Sequence, residues 1–195
     1  PGMRDLEDVT VRVQTCVKCH VGSPAAEVNH DLIAAGHPQL QFEFADYMNR
    51  MHGFRHWEPA QDRAWSAKDH AARYWAVGQA ETTRAATELR RHRLTSEDGS
   101  WPEFAEFDCQ SCHHDLRDEN WRQQRATRDG VFLPDSWYYS IYSDHSAATE
   151  LFVDDPSALQ DIDDNLQSMQ KKLQRLDLSD DDRTTLLDTC TTTAT

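Results

Sequence analysis

The strings CVKCH at 16–20 and CQSCH at 109–113 constrain this chain more than anything else in it. Each has two cysteines two residues apart and a histidine directly after the second. A zinc knuckle or a redox dithiol needs the C-x-x-C alone, and nothing in that chemistry asks for an adjacent imidazole. Covalent haem attachment uses all three residues. The two thiols add across the haem vinyl groups, and the following imidazole reaches the iron as proximal ligand. A zinc site built from two such pairs also keeps them about 15–20 residues apart. Here nearly half the chain separates Cys19 from Cys109. The pattern therefore points to two covalently attached haem c groups. One would be held by Cys16, Cys19 and His20, the other by Cys109, Cys112 and His113.

Only 38% of the 195 residues are hydrophobic, which is thin for a chain of this length. Two porphyrins would bring their own apolar surface into the core. The length suits one domain, or one domain with a small appendage. We expect a dihaem region over 1–140 and an acidic helical segment over 141–195, ending in a disordered Thr-rich tail. Cys190, in LLDTCTTTAT, is the odd cysteine. It is expected to be an exposed thiol or half of an intermolecular disulfide, with no part in the chemistry.

Charge and hydropathy narrow the partners. No run of 18 apolar residues occurs, so no membrane span is expected. A net charge of −14 argues against nucleic acid and anionic membrane surfaces, and favours a basic docking partner or simple solubility. The chain opens Pro1-Gly2-Met3-Arg4 with no leader in view. Haem attachment to C-x-x-C-H takes place outside the cytoplasm. The expectation is an exported protein, periplasmic or extracellular, whose leader has been removed or which is a piece of a longer precursor.

The patterning is helical almost throughout, with loops at the motifs. Pro38 is expected to open a helix that sets Leu40, Phe44, Tyr47 and Met51 on one face. A long helix should run from about 61 to 92, with Ala64, Ala71, Trp75, Gly78, Ala85 and Leu89 as its stripe. Small residues there would let a haem or another helix approach closely. From Pro156, the positions Leu159, Ile162, Leu166, Met169, Leu173 and Leu176 recur at three and four, an amphipathic helix with an acidic outer face. The aromatic stretch DSWYYSIYSDH at 135–145 suits a haem face or an ordinary core strip equally. The fold class expected is mostly α: an irregular, haem-packed helical arrangement with long helices and loops around the haems.

Ten histidines stand beside four methionines. With His20 and His113 as proximal ligands, eight histidines remain for the distal side. Such a surplus over Met points to bis-His iron and hence to low potentials, because a Met axial ligand raises the potential. The candidate distal ligands are His37, His30, His114 and His56. His30 and His37 are two helical turns apart and share a face if the chain between them is helical. Gly36 and Pro38 flank His37, however, and suggest a helix break that holds it rigidly. His114 follows a proximal ligand directly, so it cannot complete the same iron but could reach a neighbouring one.

Taken together, CVKCHVG, VNHDLIAAGHPQLQFE, the HW at 56–57, WPEFAEFDCQSCHHDL and NWRQQR resemble the multihaem c-type cytochromes. The resemblance is to the tetrahaem electron-carrier type related to the redox partners of hydroxylamine oxidation, and it covers roughly residues 1 to 130. It implies a mostly helical fold, closely spaced haems, and His30 and His37 as distal ligands. Such proteins usually carry further C-x-x-C-H motifs upstream. Contacts to haems of other chains, or of a longer precursor, are therefore also implied.

The function expected is transfer of single electrons between bis-His haems, by a carrier rather than an enzyme. Its partners would be other redox proteins or haem-bearing chains, in a homo- or hetero-oligomer. The alternative is a multihaem oxidoreductase with one open iron, acting on a small nitrogen or sulfur compound or on peroxide. That reaction needs acid/base residues beside a five-coordinate iron, and no sequence pattern marks such a site.

Overall fold

The computed structural model describes residues 4–50, 67–96, 101–113 and 156–194. These residues are mostly helical and contain no strand; the nearest thing to one is an isolated bridge between Ser23 and Ala26. In chain order the helices are α1 (Val9–His20), α2 (His30–Ala34), α3 (Phe44–Arg50), α4 (Ala67–Thr95), α5 (Pro156–Lys172) and α6 (Asp180–Ala194). Two 3-10 turns, Phe104–Glu106 and Cys109–Ser111, lead into the second motif.

Helix α4 is central: α1, α3 and α6 all pack against it, and α5 packs against α6. Helix α1 begins because the Asp8 carboxylate accepts the Val11 amide at 3.1 Å, and Lys18 and His20 in its last turn suit the negative end of the dipole. Val9, Val13 and Val17, four apart, bury one face. The helix stops where the Val21 and Gly22 amides both bond the Val17 carbonyl and Gly22 takes φ +121°.

Small residues on α4 do allow a close approach, and at Gly78 the neighbour is another helix. A Cβ on Gly78 would lie 2.9 Å from the Cβ of Phe44, the fully buried first residue of α3. Of the expected stripe, Ala85 and Leu89 are buried, Trp75 is half-buried and Ala71 is exposed, while Ala64 lies outside the described residues. The inner face of α4 also carries buried polar groups: Gln79, Thr82, Thr83, Thr87, Arg90 and Arg93.

Two local expectations are corrected. Pro38 does not begin a helix. It follows the end of α2, where the Gly36 amide bonds the Ile33 carbonyl and the His37 amide bonds the Leu32 carbonyl. This is a Schellman ending with Gly36 at φ +106°. Helix α3 starts only at Phe44, with the Glu43 carboxylate taking the Ala45 and Asp46 amides.

The Thr-rich end is likewise helical, through Ala194. The hydroxyls of Thr184, Thr185, Thr189, Thr191 and Thr192 each donate to the carbonyl four residues back, so they do not compete with the helix. Leu186 and Cys190, four apart, are fully buried. Cys190 is therefore neither an exposed thiol nor available for an intermolecular disulfide. It lies 3.4 Å from Met169 Sδ, and burial pushes its pKa up to about 11.

Of the expected stripe, Leu166 and Met169 are buried on α5, and Leu173, just past its end at Lys172, joins them with α1, α4 and α6 in one hydrophobic cluster; Leu176 lies beyond the helix. The boundary expected near residue 140 lies outside the described residues, as does the aromatic stretch at 135–145.

Candidate functional site

The two motifs are mounted differently. The first lies on the last turns of α1. Cys16 and Cys19 are one turn apart, His20 follows, and all three share a face because i, i+3 and i+4 positions do. Cys16 is half-buried against the core and Cys19 is exposed. Burial raises the Cys16 pKa; the Arg12 guanidinium opposes the shift and Cys19 adds to it. Arg12 is itself buried, and donates to the Leu6 and Glu7 carbonyls and to the Tyr74 hydroxyl. The His20 ring lies nearly parallel to Phe42, with centres 4.7 Å apart, and tilts against Tyr47 at 5.2 Å.

The second motif is a tight turn. The Asp108 carboxylate caps it by accepting the Gln110 amide, and the Cys112 and His113 amides both bond the Cys109 carbonyl. Cys109, Cys112 and His113 are exposed, and Cys109 Sγ lies 3.5 Å from Gln39 Oε1. Beside them opens a cavity of about 310 Å³ lined by His30, Ile33, Gln39, Phe104, Ala105, Phe107, Asp108 and the three motif residues. That is the low end of the range for small-molecule sites, about 300–1,000 Å³.

One distance in this cavity is informative. The rings of His30 and His113 have centres 6.4 Å apart and planes within 22° of one another. A metal bonded to one nitrogen of each ring at about 2.0–2.1 Å would put the centres about 6 Å apart. These imidazoles come from segments far apart in the chain, yet their ring centres lie close to that separation. Two thiols of the same turn line the same cavity. The residues present fit a covalently held haem.

His30 is held from its backbone. Asn29 caps α2 by accepting the Leu32 amide, and the His30 amide donates to Glu103 Oε1 at 2.8 Å. The same oxygen accepts the Ala105 amide, so one buried carboxylate joins α2 to the approach of the second motif. Phe104 meets the His30 ring edge-on at 5.6 Å.

His37 is not part of this pair. Helix α2 ends at Ala34, so His30 and His37 do not share a helical face. His37 is exposed, and its Nδ1 lies 2.7 Å from the Pro38 carbonyl. With Nδ1–H donating there, Nε2 is left as the lone-pair nitrogen. His56 and His114 lie outside the described residues.

The patterns pass over a group of charges behind the cavity. Arg90 and Arg93, one turn apart on α4, both bond Glu106, through Arg90 Nε at 2.8 Å and Arg93 Nη1 at 2.7 Å. Arg93 Nε also donates to Glu27 at 2.8 Å. Burial alone would raise the Glu106 pKa, but the two guanidiniums outweigh it and hold the carboxyl below its usual range. The available sequence signal was a pair of acids, Glu103 and Glu106, set among aromatic residues just before a motif.

None of the five cysteines is joined to another in a disulfide. Among the described residues, no group of three or more His, Cys, Asp or Glu side chains is placed to hold a bare metal ion. The cysteine pairs are thus not gathered into a four-ligand zinc site. No protein-family model, curated protein or solved structure matches the chain.

Proposed function

We propose that this chain is an electron-transfer cytochrome of the multihaem c type, passing single electrons between bis-His haems. The observation that carries the reading is the His30–His113 pair, with ring centres 6.4 Å apart in a cavity also lined by Cys109 and Cys112. Haem c would supply there a one-electron iron couple, and imidazole ligands rather than methionine would favour a low potential. Cys109 and Cys112 would hold the group covalently, with His113 proximal and His30 distal. Cys16, Cys19 and His20 would hold a second group in the same way.

The chain's own residues suit a carrier. His30 and His113, both bound to the iron, would leave it closed to substrates and water. Ile33, Phe104 and Phe107 give the cavity apolar walls, so little solvent needs to reorganise when an electron arrives. The net charge of −14 favours a basic redox partner. His37, with Nε2 as its lone-pair nitrogen, is the residue we assign to the iron of another chain in an oligomer. No helix among the described residues is long and apolar enough to cross a membrane. The reading places the protein in the periplasm or outside the cell, where such haems are attached.

Mass spectrometry of the denatured, natively exported chain tests the proposal. Two added haems, with a haem c pyridine haemochrome spectrum, are expected. A mass equal to the bare polypeptide would sink it. Carbon monoxide binding to the reduced protein then separates carrier from enzyme, because a carrier with both axial positions filled leaves it unbound.

A further inference from the structure

An open, apolar-walled cavity between two imidazoles has no reason of its own to stay at a fixed width. Its two sides come from different segments: His30 begins α2, and His113 ends the second motif. Each segment carries a carboxylate three residues ahead of its site, Glu27 before His30 and Glu106 before Cys109. Both carboxylates are held by a single side chain. Arg93 donates from Nε to Glu27 at 2.8 Å and from Nη1 to Glu106 at 2.7 Å, and its own side chain is 6% exposed. Arg90, 1% exposed, holds the other oxygen of Glu106. Both arginines lie near the end of the 29-residue α4, against which α1, α3 and α6 all pack.

Burying such a cluster is not explained by stability. Buried ion pairs are often no better than well-packed apolar residues of similar volume, and what they do provide in some proteins is a unique geometry. The planar guanidinium can face two carboxylates at once in fixed directions, which an ammonium cannot.

We infer that Arg93 is a positioning residue which, together with Arg90 and through Glu27 and Glu106, fixes the gap between His30 and His113. The inference rests on the reading of that pair as axial ligands. It adds the support that keeps both imidazoles within bonding reach of one iron. When Arg93 is lost, the Glu103 carboxylate is left as the remaining tie between the two segments, and the distal position that His30 would fill opens part of the time.

The test uses the full haem-loaded chain with Arg93→Met and, separately, Glu27→Gln. Haem count by mass, the low-spin electron paramagnetic resonance signals and the CO-binding fraction of the reduced protein are measured. In R93M the haem count stays at the wild-type value. The CO-binding fraction rises about tenfold, the low end for losing a supporting partner around metal ligands, and the change is confined to one of the two irons. E27Q shifts the same iron by less, and Arg93→Lys, which keeps the charge without the fork, falls between wild type and R93M. An unchanged CO-binding fraction in both R93M and E27Q overturns the inference. So does an equal rise at both irons, which would mean general loosening. Should R93M fail to fold, E27Q decides alone, since it alters a side chain already 26% exposed. A wild-type chain that carries no haem would overturn the underlying reading instead.

Discussion

The same five-letter pattern is supported by opposite means at its two places. At 16–20 it continues a capped helix whose Val9, Val13 and Val17 anchor it in the common core. At 109–113 it is a short turn with exposed motif residues, held from behind by Arg90, Arg93 and two carboxylates. Both places also have a buried guanidinium, but Arg12 is satisfied mainly by backbone carbonyls, whereas Arg93 bridges side chains from two segments. A motif on a capped helix takes its position from the core that the helix is packed into. A motif on a short turn takes its position from the residues that tie the turn down from behind.

The largest effect should come from removing the thiols. On the proposed reading, Cys109→Ala with Cys112→Ala should leave one attached haem and abolish the signal assigned to the His30/His113 site. Cys16→Ala with Cys19→Ala leaves one haem and spares that signal. Mass and electron paramagnetic resonance spectra of the two double variants distinguish these outcomes. Loss of both haems from either variant would show that the mounts are not independent.

Next in size is the loss of a distal ligand. His30→Ala should turn the second-motif iron high-spin and CO-binding while both haems stay attached. His37→Ala should leave that iron unchanged, because His37 points its Nδ1 at the Pro38 carbonyl beyond the Schellman ending of α2. Spectra that change in H37A and not in H30A would reverse the assignment.

How much of this was legible beforehand differs by length scale. The α5 stripe repeats at three and four and could be read directly, while the C-x-x-C-H pairs are equally local patterns whose chemistry is the proposal itself. The end of α2 was half legible, since Gly36 and Pro38 marked the break but not which helix it belonged to. The Thr-rich tail misled because threonine has modest helix propensity. Back-bonded hydroxyls and the Leu186/Cys190 pair, buried in the core, decided its structure. The facing of His30 and His113 was not legible at all. Neither was the Arg93 bridge, which joins residues 66 apart on one side and 13 on the other. Such pairings exist only once α4 has brought distant segments together.

Acid should separate the two mounts next. The Glu106 carboxyl sits below its ordinary value of 4.5 in the folded protein. A depressed carboxyl contributes stability that is fully present above its unfolded value and lost as pH falls through the folded one. The second motif should therefore hold its low-spin signal down to pH 4.5 and loosen below it, with CO binding appearing at that iron first. Glu106→Gln should show the loosened behaviour already at neutral pH. Simultaneous loss of both signals on acidification would mean that the ion cluster has no separate influence on the second site.

The smallest effect tests the helical mount. Gly22 ends α1 at φ +121°, a conformation that side-chain-bearing residues rarely adopt, and a Cβ there would lie 3.0 Å from Leu89 Cδ2 on α4. Gly22→Ala strains the turn directly after His20 and presses on the α1–α4 contact. Backbone strain of this kind costs about 1–3 kcal/mol. For a chain of this length, that lowers Tm by about 2–12 °C. Because Gly22 belongs to the first mount, the low-spin signal of the His30/His113 iron should not move, while the chain melts earlier. Thermal unfolding of G22A, followed beside its resonance spectrum, reads both quantities. A shifted second-motif signal with an unchanged Tm would mean that strain passes from α1 through Leu89 to the Arg93 bridge, and the two motifs would then share one mechanical support.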